Sequence, residues 1–286
     1  MSDAAQNRSP LVSVGIPVYN EAKFLDETLA SLLAQDYARI EFIISDNAST
    51  DETPEICARA ASTDPRIRLL RSETNEGSTA NFQRCLDAAK GELFLWAGGH
   101  DLWSSNMISS CVAALQAVPG AVVAVPQSRW IDASSQPFGD EASILDTRGM
   151  EPLARLFTLL WANMHPIYGV IRTEALRKAG LIPNFPGADL VLLSKLILQG
   201  EFVPAFSAIW SRRQTRAQET HEERQRRYKS DLFKIGKSAF PMAQMTFVLL
   251  KSVWSSPLPI ADKLAFTLAF PGQLPARYLV ARRRVA

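Results

Sequence analysis

Polar residues with chemically useful side chains stand directly after three apolar segments in the first third of the chain. Residues 11–17, 40–45 and 93–96 are short apolar runs, the pattern of buried strands. Carboxylates, amides and imidazoles accept hydrogen bonds, exchange protons or bind cations. The residues of these kinds that follow the three runs are Tyr19, Asn20 and Glu21, then Asp46 and Asn47, then His100 and Asp101.

The elements between these residues indicate how they are brought together. Apolar residues at helical spacing predict helices over residues 21–33, 52–61 and 78–89, and short apolar runs predict further strands at 67–70 and 121–125. Strands that alternate with helices are typical of an α/β fold with a Rossmann-like, doubly wound, mostly parallel sheet flanked by helices. Ligands bind such sheets beyond the carboxyl ends of the strands, so we expect the polar residues to converge at one edge.

The second half of the chain has a weaker pattern. Residues 128–148 are predicted to form a long loop, 168–171 a strand, and 173–179 and 190–199 helices. Beyond residue 210 the sequence predicts a helical C-terminal extension, which Pro257, Pro259, Pro271 and Pro275 are expected to break into short pieces.

Composition places the chain among folded proteins with an uneven charge. It has 286 residues, 47% of them hydrophobic, which is enough for a sizeable core. Residues 212–286 carry 15 Lys/Arg and 5 Asp/Glu, whereas residues 1–211 carry 16 and 24. A basic tail on an acidic body indicates contact with an anionic partner, for which lipid headgroups, a lipid diphosphate and nucleic acid all fit; a solvated helix face is the alternative.

The cysteines, the N-terminus and the lengths of the apolar runs indicate the cellular compartment of the protein. Cys57, Cys85 and Cys111 are odd in number and lack metal-ligand spacing, which predicts reduced, buried thiols in a cytoplasmic protein. The N-terminus is polar and unlike a signal peptide, and no run reaches the roughly 18 apolar residues of a membrane span.

Four strings in order carry a family resemblance: V-S-V-G-I-P-V-Y-N-E, I-I-S-D-N-A-S-T-D-E-T, N-E-G-S-T-A-N-F and A-K-G-E-L-F-L-W. Together they resemble the family 2 glycosyltransferases of the GT-A fold over roughly the first 105 residues. The resemblance implies a disordered N-terminus at 1–9, a GT-A domain at 10–211 with a nucleotide-sugar half at 10–105 and an acceptor half at 106–211, and a basic helical extension at 212–286. A nicotinamide oxidoreductase is disfavoured because G-x-G-x-x-G does not follow the first strand.

The resemblance also implies a site for a nucleotide-diphosphate sugar. Asp46 matches the carboxylate that accepts a hydrogen bond from a uracil-type ring, so a UDP-sugar is favoured, with guanine and thymine left open. Pro17, Tyr19 and Glu21 match the segment that lines the nucleotide, where Glu21 is a candidate to hold a ribose hydroxyl. Asn75 and Gly77 match a turn near the nucleoside.

The acidic signature that holds a divalent cation in many relatives is altered. The string W-A-G-G-H-D-L-W places Gly98 and His100 where relatives have acids, while Asp101 stays acidic. Two readings stay open: His100 and Asp101 hold Mn²⁺ or Mg²⁺, or basic groups and helix N-termini neutralise the diphosphate. The resemblance makes Arg212, Arg213 and His221 candidate phosphate contacts.

The acceptor side follows from the same resemblance. Asp189, after Ala188 in place of a first acid, matches the general base of inverting members, and Trp103, His165 and Arg172 are candidates for the acceptor side. We expect sugar transfer to a glycan or lipid-linked acceptor in bacterial surface-polysaccharide assembly. The protein is expected to be cytoplasmic, and either peripheral at the plasma membrane or a homodimer. No nucleic acid is expected as a partner. The alternative is a non-catalytic nucleotide-sugar binder or structural partner protein.

Overall fold

The computed structural model describes residues 9–180, 187–214 and 241–283, with side chains described over 9–180, 187–214 and 245–273. A single mixed sheet of nine strands forms its centre. The strands are β1 (Val12–Val18), β2 (Ile40–Asp46), β3 (Ile67–Arg71), β4 (Leu93–Trp96), β5 (Leu102–Trp103), β6 (Ala121–Ile131), β7 (Pro137–Ala142), β8 (Val170–Arg172) and β9 (Glu201–Arg213).

The sheet order is β3-β2-β1-β4-β8-β6-β9-β5, with β7 paired to β6. The first four strands pair in parallel, which agrees with the predicted doubly wound half, whereas β8, β5 and β7 pair antiparallel to their neighbours. Every residue of β1 is buried because helices cover both faces of the sheet, and this explains its unbroken apolar sequence.

Nine α-helices are described, most of them on the two faces of the sheet. They are α1 (Ala22–Leu33), α2 (Thr53–Thr63), α3 (Ser78–Ala88), α4 (Met107–Ala117), α5 (Pro152–Trp161), α6 (Thr173–Ala179), α7 (Ala188–Ile197), α8 (Pro241–Trp254) and α9 (Ile260–Arg283), and a 3₁₀ turn covers His165–Tyr168.

The helices α8 and α9 are part of the globular core. Met245, Leu249, Phe266 and Phe270 are each at most 2% exposed and join the apolar cluster that includes α5 and α7. The described part of the C-terminal region is helical, as predicted, and β9 continues two residues into the predicted extension, to Arg213. Among the described residues, no helix has the length and apolar character needed to span a bilayer.

Two expectations from the sequence are wrong. Residues 128–148 are not one loop, since β6 continues to Ile131 and turns back as β7. Helix α9 is not broken by its prolines, because it runs through positions 271 and 275 to Arg283. All three cysteines are free and buried, as predicted.

Candidate active site

The ends of β1, β2 and β3 form the floor of the site. Val18 lies opposite Asp46, and Asp46 lies opposite Arg71, so three strands end at one level. Asp46 is 1% exposed; its Oδ1 accepts a hydrogen bond from the amide of Ser49 at 3.0 Å. Its Oδ2 has no hydrogen-bond partner, although the Arg71 Nε lies 3.3 Å away in an arrangement that is not a hydrogen bond. This buried carboxylate oxygen thus forms an ion pair with Arg71 but accepts no hydrogen bond from the described residues.

Two loops at this edge are held in an unusual backbone conformation. Asn20 has φ 54° and Ala48 has φ 61°, both in the left-handed region that side chains disfavour. The loops brace each other, because the Asn20 amide donates to Ser49 Oγ and the Thr50 amide donates to Asn20 Oδ1, each at 2.9 Å. Such strain is found at functional sites, where the surroundings hold it in place.

Asn75 and Gly77 form a turn that Asn47 fixes to the same edge. Asn47 Nδ2 donates to Asn75 Oδ1 at 2.8 Å, and the same oxygen accepts from the Gly77 amide at 2.9 Å. Gly77 has φ 87°, which only glycine adopts without strain, and it immediately precedes α3. The Asn75 carbonyl oxygen is therefore occupied within the turn, and the turn positions the N-terminus of α3.

The predicted nucleotide segment after β1 divides into buried and exposed parts. Pro17 is buried in β1 opposite Ser45, whereas the Tyr19 side chain is 44% exposed at the strand end. Glu21 points to the β4 loop, where its two carboxylate oxygens lie 3.0 and 3.1 Å from His100 Nδ1. Glu21 is thus engaged with His100.

The environment of His100 favours its charged form. Burial alone would lower the pKa of His100, but the Glu21 hydrogen bond and the charges of Asp101 and Glu21 raise this pKa above its ordinary value, with Arg212 opposing them. The side chain keeps about a third of its surface exposed. It is a cation-forming group at the edge of the site.

Asp101 is a buried structural acceptor. It is 3% exposed; Oδ2 accepts from the Trp210 indole at 2.9 Å, and Oδ1 accepts from the Arg213 amide at 2.9 Å. Burial raises the pKa of Asp101, against the lowering effects of His100 and these donors. The carboxylate ties the β4 loop to β9.

The residues do not fit a protein-built site for a divalent cation. Hard cations need several oxygen ligands, but the Asp101 oxygens are buried and hydrogen-bonded, and Gly98 supplies no side chain. Among residues 9–180, 187–214 and 245–273, no group of three or more His, Cys, Asp or Glu side chains is arranged to hold a metal. The predicted pair of His100 and Asp101 is adjacent, with His100 Nε2 3.9 Å from Asp101 Oδ1, but both Asp101 oxygens already accept a hydrogen bond from β9.

Arg212 and Arg213 have opposite environments, although both were predicted as phosphate contacts. The Arg213 guanidinium is fully buried and donates to the His100 carbonyl at 2.8 Å, to the Asp132 carbonyl at 3.0 Å and to Glu27 at 2.6 Å. It is a structural residue, and its prediction as a phosphate contact is wrong because the buried side chain is out of reach of a ligand. The third predicted contact, His221, lies outside the described residues.

Arg212 is a partly exposed cation held by aromatic rings. Its guanidinium carbon is 4.5 Å from the Trp130 ring centre and 5.9 Å from that of Trp210. No carboxylate of the described residues lies within ion-pair distance of it. His165 accepts from Arg212 across 3.5 Å through Nε2, and its Nδ1 lies 2.6 Å from Ser128 Oγ. Burial, and then Arg212, lower the pKa of His165 to about 4, so this imidazole is neutral.

Asp189 lies in the first turn of α7, as predicted, and its side chain reaches solvent. The surrounding protein still removes enough hydration to raise the pKa of Asp189, while the charge of Arg212 lowers it. Tyr168, stacked on Trp210 at 4.5 Å, lies near both Asp101 and Asp189, whose charges add to burial in raising its pKa. A carboxylate, a cation and a neutral phenol therefore meet at one place.

Two predicted acceptor-side residues lie outside this cleft. Trp103 is 5% exposed and packs in the apolar cluster that includes side chains of β1, so it is a core residue. Arg172 pairs with Leu93 at the start of β4 and donates to the Ala121 and Leu115 carbonyls. It is thus at the amino edge of the parallel strands, the edge opposite to the site.

Sequence reasoning missed three residues at the site: Arg71, Trp130 and Tyr168. Arg71 ends β3 as Asp46 ends β2, so the rule that identified Asp46 would have found it. Trp130 was assigned to a loop, and only the continuation of β6 brings it against Arg212. The sequence contains no signal for that contact.

Comparison with known proteins identifies the family of the chain and agrees with its fold. The model of Glycosyl transferase family 2 matches residues 13–178, and the chain belongs to this family. Two curated relatives are the glycosyltransferase GlyG of Streptococcus pneumoniae, 35% identical over 115 residues, and the putative teichuronic acid biosynthesis glycosyltransferase TuaG of Bacillus subtilis, 32% identical over 102 residues. The alignments cover 40% and 36% of this chain and 38% and 40% of those proteins.

Solved structures place the chain in the GT-A fold. The S. aureus TarS 1–349 complex with UDP-GlcNAc superposes with a TM-score of 0.67 at 17% identity, covering 88% of this chain and 69% of that one. The mannosyltransferase PcManGT from Pyrobaculum calidifontis, in complex with GDP-Man and Mn²⁺, gives 0.58 at 22% identity, covering 98% and 81%. At these identities the likeness extends to the fold alone.

Proposed function

We propose that this chain is an inverting glycosyltransferase that moves a sugar from a nucleotide-diphosphate donor, a UDP-sugar in the first instance, to a glycan or lipid-linked acceptor of a bacterial surface polysaccharide. One observation carries the proposal: Asp189, a solvent-reaching carboxylate with a raised pKa, lies in the field of Arg212, an unpaired cation among the described residues. An inverting displacement needs these two groups, one for the incoming proton and one for the leaving charge.

The reaction is a single displacement at the anomeric carbon. The acceptor hydroxyl oxygen forms a bond to this carbon as its proton passes to the Asp189 carboxylate, which acts as general base. The bond between the anomeric carbon and the diphosphate oxygen breaks, and the nucleoside diphosphate leaves with the electron pair. Arg212 suits the leaving group because its planar guanidinium donates two parallel hydrogen bonds to phosphate.

The base of the donor is assigned to the end of β2. The unsatisfied Asp46 Oδ2 is an acceptor for the imide N–H of uracil, and Arg71, with 56% of its side chain exposed, stands beside it. The complexes of TarS with UDP-GlcNAc and of PcManGT with GDP-Man support a nucleotide-sugar donor in general. The relative TuaG, a putative glycosyltransferase of teichuronic acid biosynthesis, supports an acceptor in a bacterial surface polysaccharide.

The test combines donor binding with turnover. We expect one of UDP, GDP, dTDP or CMP to raise the melting temperature, since a ligand of the folded state stabilises it. The matching nucleotide sugar is then incubated with water or glycan acceptors, and release of the nucleotide is measured. Asp189→Asn should lower this rate by about 10²–10⁴-fold while nucleotide affinity stays near that of the wild type.

Asp140→Asn is the matched control, because Asp140 is an exposed acid on β7. Turnover by Asp189→Asn equal to that of this control would remove Asp189 from the mechanism. Nucleotide binding without turnover by the wild type, over a broad acceptor set, would favour the non-catalytic nucleotide-sugar binder.

An exposed apolar surface on α8 and α9 supports a further proposal, attachment to an anionic membrane. Phe247, Trp254, Leu264 and Leu268 are 47–83% exposed, and the exposed Lys251 lies on α8 beside them. Apolar side chains with neighbouring bases are the features of interfacial helices. The same surface would also suit a homodimer.

Vesicle flotation with anionic and neutral lipids tests this attachment. The double variant Phe247→Gln/Leu268→Gln should lose flotation with anionic vesicles, while Phe138→Gln, an exposed change on β7, should keep it. Deletion of the helices is unsuitable because Phe266 and Phe270 are core residues. Failure of the wild type to float, with a dimer in sedimentation that the double variant lacks, would replace the membrane by a second copy.

A further inference from the structure

The loop after β4 has exchanged carboxylates for a histidine and a glycine at the positions where relatives bind a cation. Gly98 has no side chain, and an ideal Cβ there would lie 3.1 Å from Asp101 Oδ2, so a larger residue at this position would crowd the Asp101 carboxylate. His100 occupies the second position and is bound to Glu21 across 3.0 Å. The two carboxylate oxygens of Asp101 accept hydrogen bonds, one from the Trp210 indole and one from the Arg213 amide.

We propose that this chain binds the diphosphate of its nucleotide ligand without a divalent cation, and that Arg212 and His100 supply the positive charge instead. The inference rests on the proposed function, since it concerns the same ligand. It goes further by assigning His100 and Arg212 as the diphosphate-binding residues and by removing the cation.

Arg212 is prepared for this role by its neighbours. Trp130 supports one face of the guanidinium at 4.5 Å, and the neutral His165 holds one nitrogen through Nε2. These contacts fix the planar group without neutralising its charge, because neither neighbour is anionic. Its remaining donors face no carboxylate of the described residues, so a phosphate meets a pre-positioned cation.

His100 supplies the second positive charge from the loop after β4, whereas Arg212 lies on β9. The groups that face it are Glu21 from the β1 loop, Asp101 beside it and Arg212 from β9. Glu21 binds Nδ1, whereas Nε2 makes no hydrogen bond to the described residues and lies 3.9 Å from Asp101 Oδ1. A protonated ring held in this way donates one hydrogen bond to Glu21 and can donate the other to a phosphate oxygen.

Calorimetric titration of the full chain with UDP and GDP, in EDTA and in Mn²⁺, tests the inference. We expect one of the two to bind in EDTA with a dissociation constant within about threefold of that in Mn²⁺. Arg212→Met and His100→Gln should each weaken this binding about tenfold or more, the loss of a charge-assisted hydrogen bond. Lys178→Gln, which removes an exposed charge on α6, is the control and should not weaken it.

Uridine or guanosine separates the diphosphate from the base. Arg212→Met and His100→Gln should leave nucleoside affinity unchanged if they act on phosphate, whereas an equal loss for nucleoside and diphosphate would overturn their assignment. A dissociation constant that needs Mn²⁺ would overturn the inference and leave the proposed function standing. No binding of any nucleotide under either condition would reject both.

Discussion

Adjacent arginines at the end of β9 should respond to the same substitution in opposite ways. Arg213→Met removes a fully buried guanidinium that makes three hydrogen bonds, one of them to Glu27. The two bonds to carbonyls contribute about 1 kcal/mol each and the bond to a carboxylate about 2. Methionine packing against Phe24 and relief of the buried charge offset part of this loss, so we expect destabilisation of about 3 kcal/mol.

Arg212→Met should instead leave stability nearly unchanged. Its guanidinium forms ring contacts and one 3.5 Å hydrogen bond, and a contact with an aromatic ring contributes about 0.5–1 kcal/mol at a partly exposed site. The thioether chain keeps some packing on Trp130. Nucleotide binding should fall for this variant and stay at the wild-type level for Arg213→Met measured well below its melting temperature.

Urea unfolding followed by tryptophan fluorescence, together with thermal melts, measures the difference. A loss of about 3 kcal/mol corresponds to a melting temperature lower by about 6–10 °C in a chain of this size. Equal stabilities for the two variants would refute the reasoning from burial. Loss of nucleotide binding by folded Arg213→Met, with Arg212→Met unaffected, would exchange the roles assigned to the two residues.

Three further changes have defined outcomes. Asp46→Asn puts an amide donor toward the imide N–H, so uridine affinity should fall about tenfold by calorimetry, and unchanged affinity would reject the base contact. Gly169→Ala places a Cβ about 2.3 Å from the Ala124 carbonyl oxygen, and we expect a loss of about 1–3 kcal/mol in urea unfolding. Burial raises the pKa of Asp189, so turnover should rise with pH through that pKa; Arg212→Met should move this limb to higher pH, and a shift to lower pH would contradict the assigned proximity.

The nucleotide half of the fold was predictable because its signals are local. Apolar runs ended by polar residues marked β1, β2 and β4, and parallel pairing then fixed that Asp46 and Glu21 meet at one edge. Both faces of these strands are buried, so their sequences are continuously apolar. The family resemblance covers the same residues and added Asp189 at the start of α7.

The second half was less predictable because its contacts are between distant residues. The sequence marked Arg212 and Arg213 as equivalent bases, but successive side chains on a strand point to opposite faces. Only the extension of β9 to Arg213 turns one side chain into the core and leaves the other in the cleft. Arg172 was misplaced for a related reason, since β8 runs antiparallel to β4 and its last residue, Arg172, lies at the edge of the sheet opposite to the site.

The changes around His100 are consistent with one another, which argues that the altered signature is a working arrangement. Gly99 lets Glu21 approach, because an ideal Cβ at Gly99 would lie 2.9 Å from Glu21 Cγ and 3.0 Å from Val18 Cγ1. Glu21 in turn binds His100 and stabilises its charge. Asp101 accepts a hydrogen bond from Trp210, so His100 is the side chain of this loop that Glu21 holds toward the site. The close-packed Gly99 and the Glu21 carboxylate thus act together to position His100 for the diphosphate contact that we propose.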